Sequence, residues 1–167
     1  MNTTIPRRSE KIVFTLTPSP IRRGFAVAGI AILAILLAYL AIAHPAPPMT
    51  TTLLGGGALM SLFFVLRMIV ATSGALQLTK SGLYDSKGVL VVAVANVHQV
   101  ELGIFAFKPS NGFVIFLKEP MSAAWRPGMW WRFGRRVGIG GVTSRAQGKL
   151  LAEALSILVH ENLQTAD

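Results

Sequence analysis

The sequence predicts a membrane α-helical hairpin followed by an α+β domain, an antiparallel sheet or small barrel capped by one C-terminal helix. Three observations lead to that class. Residues 24–44 and 53–72 form two long apolar runs separated by only eight residues. Downstream, short β-branched and aromatic runs alternate with turn residues, and the last stretch switches to a helical period. The composition agrees: 52% of the 167 residues are hydrophobic and 14% charged, against about 25% charged in ordinary soluble domains.

The first run, GFAVAGIAILAILLAYLAIAH (24–44), would form roughly 31 Å of helix, a match to the ~30 Å hydrocarbon core of a bilayer. Ten of its residues are Leu, Ile, Val or Phe, which together favour insertion by roughly 3–6 kcal/mol. HPAPP at 44–48 ends it, because proline lacks the amide proton and clashes with the preceding turn. The second run, LLGGGALMSLFFVLRMIVAT (53–72), holds one charge, Arg67, about 7 Å from its end. An arginine there serves either as an anchor whose stem snorkels to the headgroups or as a functional intramembrane charge. Ala34 and Ala38 on the first run, and Gly57 and Ser61 on the second, are small residues four apart that permit close helix contact.

The short connection forces an antiparallel pair, and it contains no Lys or Arg. Arg7, Arg8, Lys11, Arg22 and Arg23 precede the first run, and ten basic residues follow the second. The positive-inside rule therefore predicts two spans of a bacterial inner (plasma) membrane with both termini cytoplasmic. That divides the chain into a cytoplasmic N-terminal segment (1–23), a transmembrane hairpin (24–72) and a cytoplasmic domain (75–167). IRRGFA at 21–26 has the look of a twin-arginine export signal, with Ala41-Ile42-Ala43 as a cleavage site. The apolar core is longer than the roughly 7–15 residues of a signal, and the cleaved chain would begin with another span.

In the domain, LQLT (76–79), VLVVAV (89–94), GIFAF (103–107), FVIFL (113–117) and VGIG (137–140) read as strands. Turn signals separate them at 80–82, 85–88, 109–112 and 119–120. Ser144 with Gln147 makes a capping-box pattern. Leu150, Leu151, Ala154, Leu155, Leu158 and Val159 then form one stripe of a helix ending near Asn162. KIVFTLTP (11–18) is also strand-like, lies on the same side of the membrane and is expected to dock on a sheet edge.

Two membrane helices, then LQLTKSGLYDSKG, VANVHQVEL and FVIFLKEP, a Trp/Arg-rich segment, and a last strand and helix resemble bacterial two-transmembrane-helix proteins with a cytoplasmic PH-like domain, a group without an established function. The resemblance rests on Gly82-Leu83 and on Val94-Ala95-Asn96-Val97, where the family usually has Trp-x-Asp-Ile and this chain lacks both the Trp and the acid. It spans roughly residues 20 to 162. It implies a PH-like sheet or barrel of seven strongly bent strands plugged at one end by the C-terminal helix. It does not imply phosphoinositide binding, because the K-x(n)-K/R-x-R pattern of eukaryotic PH domains does not follow Lys80 or Lys87.

No catalysis, cofactor or metal site is expected. The three histidines (His44, His98, His160) are scattered, and no HExxH, GxSxG or Walker pattern occurs. VGIGG lacks the third glycine of a dinucleotide fingerprint, and cysteine is absent. The module is therefore expected to bind or scaffold, the alternative being an accessory subunit or assembly factor of a membrane enzyme or transporter. AAWRPGMWWRFGRR (123–136) holds all three tryptophans. Interleaved rings and guanidinium groups suit an interface with anionic headgroups, core packing, or stacking on single-stranded nucleic acid. Residues 1–23 and 75–167 each carry a net +4, a balance the positive-inside rule explains without nucleic acid. The membrane-interface candidates are Trp125, Arg126, Trp130, Trp131, Arg132, Phe133, Arg135 and Arg136, with Arg67 on the second span. A membrane-protein partner or a second copy would be the other contact.

Overall fold

A computed structural model describes residues 10–44, 46–102 and 112–164. The order is β1 (Phe14–Leu16), α1 (Pro20–Ala43), α2 (Pro48–Ala71), β2 (Leu76–Leu78), β3 (Gly82–Asp85), β4 (Leu90–Ala93), a 3₁₀ turn, β5 (Val97–Glu101), β6 (Phe113–Arg126), β7 (Trp130–Ile139) and α3 (Arg145–Gln164). Two antiparallel sheets result, ordered β1-β2-β3-β4 and β5-β6-β7. The architecture is thus α+β with a long apolar helical pair. The strand expected at 103–107 lies outside the described residues.

Both α1 and α2 have 24 residues, about 36 Å each, and are apolar enough to cross a bilayer. Their outward faces are bare: Phe25 is 78% exposed and Ile42 86%. The helices approach closely at small residues: Ala34 and Ser61 are buried, and a Cβ built on Gly57 would stand 3.2 Å from Leu37 Cδ1. Arg23 donates to the Ile69 carbonyl at 3.2 Å, tying the start of α1 to the end of α2. α2 begins at Pro48, earlier than the sequence suggests. Proline ends α1 but is pre-organised for the first helical position of α2, so the same motif stops one helix and starts the next. Thr52 Oγ1 donates to the Pro48 carbonyl at 2.8 Å within that first turn.

The expected docking of the N-terminal segment is present. Phe14, Thr15 and Leu16 pair with Leu78, Gln77 and Leu76, and Pro18 bridges Thr143. Leu16 is fully buried in the core with Leu76, Leu78, Leu83, Val92, Phe113, Ile115 and Leu155. The helical pair is therefore an insertion between two adjacent strands of one sheet. Upstream, Ser81 donates to the Glu10 carboxylate, which holds that carboxyl below the usual range. A depressed carboxyl pKa stabilises the fold above the unfolded value, and the contribution is lost as pH falls through the folded one. Glu10 is exposed, so the effect is small: Glu10→Gln should lower the Tm slightly at pH 7, and the gap should close under acid.

The Trp/Arg-rich segment is part of the sheet. It forms the distal half of β6 and β7, joined by a turn at Pro127-Gly128-Met129. The ladder pairs Phe113–Phe116 with Ile139–Arg136, then breaks register around Met121 and Gly134, and resumes with Ala124–Arg126 against Arg132–Trp130. Across that break both strands bend back on themselves. Gly140 donates to the Met129 carbonyl and Val142 to that of Gly128, each at 2.9 Å. Gly141, at φ +103°, lies against the Gly128 backbone, where an added Cβ would stand 2.6 Å from the carbonyl oxygen. Only glycine combines that φ with that approach. VGIG is thus the end of a strand that begins at Trp130. Its neighbour continues through Glu119-Pro120, expected to be a turn and found at the bend.

α3 starts where Ser144 Oγ accepts from the Gln147 amide at 3.2 Å, the capping expected from sequence. Leu151, Leu155 and Leu158 close the core beneath it.

Candidate functional site at the junction of helices and sheet

The attachments of the helical pair meet at one end of the domain. The Ser19 amide donates to the Val142 carbonyl at 2.9 Å. A Cβ placed on Gly128 would be 3.0 Å from Met68 Cε and 3.1 Å from Thr72 Cγ2. Thr72 is itself buried, its hydroxyl donating to the Met68 carbonyl. The β6–β7 turn is therefore seated on the last turn of α2.

Beside that seat runs a groove of about 340 Å³. Phe63, Leu66, Val70 and Ala71 of α2 form one wall; Trp125, Arg126 and Pro127 form the other, with Arg67 on the rim. The Trp125 ring meets Phe64 edge-on, centroids 5.9 Å apart. Phe64 precedes the last residue of α2 by seven positions, about 10 Å of helix, so Trp125 reaches well up the apolar run. Arg67 is exposed, lies 5.8 Å over the Phe63 ring and makes no ion pair among the described residues. Arg126 faces Asp85 at a loose 3.6 Å. Asp85 is committed elsewhere too, its Oδ1 accepting from the Lys87 and Val89 amides to close the β3–β4 turn. A smaller pocket, also lined by Val70, Ala71 and Arg126, continues past the groove to Asp85, Ser86 and Lys87.

Eight of the nine sequence candidates thus fall into three groups, and Trp131 stands apart from them. Arg67, Trp125 and Arg126 converge on the groove. Trp130 and Arg132 are only 3% and 6% exposed, which corrects their reading as interface residues. Trp130 belongs to the core cluster, and Arg132 lies 5.9 Å over its ring. Arg132 Nε donates to the Ser122 carbonyl at 2.8 Å, and Nη1 to the carbonyls of Leu90 and Val91 at 2.9 and 2.8 Å. Val91 is the extra residue of a β-bulge, since Leu83 pairs with Val92 and Tyr84 with Leu90. The guanidinium satisfies a carbonyl that the ladder cannot. Burial pushes the Arg132 pKa down from its ordinary value, yet arginine stays charged in proteins.

Phe133, Arg135 and Arg136 form the third group. They sit at the bend, about 13 Å by strand rise from the end where α1 and α2 attach. All three are exposed, with Arg136 5.5 Å over the Phe116 ring. Trp131 is half-buried, its ring flat against Gly138, where any Cβ would collide with it, and 5.8 Å from Phe133. These residues share a sequence window with Trp125 but not a location. The apolar groove wall on α2 was missed by sequence reading, because residues over fifty positions apart meet only through the β6–β7 bend.

His98 and His160 line a second groove, between β5 and α3. No cluster of three potential metal ligands exists among the described residues. A scan against protein-family models and searches of curated proteins and solved structures found no match to this chain.

Proposed function

We propose that the chain is an integral inner-membrane protein that presents a small cytoplasmic PH-like module at the membrane surface, for binding or scaffolding without catalysis. The observation that carries this reading is the insertion of the helical pair between β1 and β2. Because those strands pair, the segment before α1 and the domain after α2 must lie on one side of any membrane the pair crosses. The basic residues make that side the cytoplasm. Cleavage after Ala43 would remove Leu16 from the core, which argues against an export signal. Sheets of four and three antiparallel strands followed by one helix agree with the PH-like resemblance. Anionic headgroups are the nearest partner for Trp125, Arg126 and Arg67.

Vesicle orientation tests the topology. Protease should digest residues 75–167 in inverted membrane vesicles and spare them in right-side-out ones; the opposite pattern removes the proposal. The alternative, an accessory subunit of a membrane enzyme or transporter, is favoured by the exposed Phe133, Arg135 and Arg136 on the end remote from the helices. Purification in mild detergent separates the two readings. A lone, lipid-associated species is expected for the module, and a stoichiometric complex for the subunit.

A further inference from the structure

We infer that the groove between α2 and the β6–β7 turn is a binding site for one anionic glycerophospholipid. The inference rests on the membrane reading above and adds a ligand and a place. Three features of the groove favour a lipid over other occupants. Its α2 wall, Phe63, Leu66 and Val70, is continuous with the apolar surface of a helix long enough to span a bilayer. Its opposite wall is Trp125, whose ring is anchored on Phe64 and half exposed at 49%. Two guanidinium groups, Arg67 and Arg126, stand at the level of the last helical turns, where a phosphodiester lies when the acyl chains follow α2. Arg67 has no acidic partner among the described residues, and Arg126 has one loose contact with an Asp85 already bonded to two amides. A phosphate oxygen gives both cations a closer partner than they now have. At about 340 Å³ the groove holds a headgroup and the first methylenes, leaving the chains in the bilayer.

The test uses the full chain, purified and delipidated in mild detergent, with native mass spectrometry as readout. Dioleoyl-phosphatidylglycerol, dioleoyl-phosphatidylcholine and inorganic phosphate are added separately. Expected is one tightly retained phosphatidylglycerol, at least tenfold preferred over phosphatidylcholine. Millimolar phosphate should not displace it, because phosphate lacks the apolar contacts. Arg67→Gln should remove the preference while leaving the fold intact, since Arg67 is exposed and outside the core. Trp125→Ala should weaken both lipids alike. Equal retention of the two lipids by the wild type, no effect of Arg67→Gln, or displacement by phosphate would each overturn the site. So would a protein that co-purifies with the wild type and is lost in Arg67→Gln. A chain that fails to bind phosphatidylglycerol yet shows the expected vesicle topology loses this inference alone; one that does not insert loses both.

Discussion

Replacing Leu16 by alanine is expected to cost the sheet domain about 2–5 kcal/mol, although Leu16 lies before both long apolar helices. Its side chain is fully buried among residues more than fifty positions downstream. The cavity cannot collapse easily, because β1 is fixed at both ends: Val13 donates to the Leu78 carbonyl at 2.8 Å, and Pro18 bridges Thr143. A domain of about a hundred residues loses about 4–8 °C of Tm per kcal/mol. Thermal unfolding of the full chain in detergent should therefore show a fall of roughly 10 °C or more. Thr15→Ala, on the exposed face of the same strand, is the control and should change little. A stronger form removes the strand entirely. A chain starting at residue 75 should be poorly folded, whereas residues 10–19 joined to 73–164 through a short flexible linker should fold in water. A cooperative melt of the shorter chain equal to that of the joined one would show that β1 is dispensable.

Arg132→Met is expected to destabilise by about 2–4 kcal/mol, keeping the stem volume and leaving the carbonyls of Leu90, Val91 and Ser122 without their donor. Arg132→Lys should fall between, since one ammonium cannot span acceptors on β4 and β6 as the planar fork does. The loss should not be relieved by raising or lowering salt, because the acceptors are neutral. The exposed Arg135→Gln should leave the Tm within about 1 °C. If Arg132→Met melts with the wild type, the bulge at Val91 is satisfied in some other way.

The most legible parts were those set by local pattern. Length and hydropathy mark α1 and α2, because a helix satisfies its own backbone and only its side chains must suit lipid. Ser144 and the leucine stripe mark α3 for a similar reason, since capping and a 3.6-residue period are properties of the segment alone. The turn at Asp85–Gly88 was readable in its own four residues. The docking of β1 was legible from its strand-like composition and the expected placement of both flanks of the helical pair together, but its partner strand was not.

The β6–β7 ladder is where local reading failed. WRPGMWWRFGRR looks uniform as a string, a mixture of rings and cations that suits an interface. Folding sorts it: Trp125 goes to the groove, Trp130 and Arg132 to the core, and Phe133, Arg135 and Arg136 to the far end. That sorting depends on the register break near Met121 and Gly134, which returns the strand toward its starting point. It depends equally on Gly141, which admits the Gly128 backbone, and on a bulge in β4 that offers carbonyls to Arg132. None of these is a property of residues 123–136 alone. By itself the sequence determined that two helices are fit for a membrane, that a sheet and a capped helix follow, and that the basic residues flank the helical pair and spare its connection. Only the tertiary structure decided which arginines and tryptophans face a groove, because burial and exposure there are settled by contacts between segments far apart in the chain.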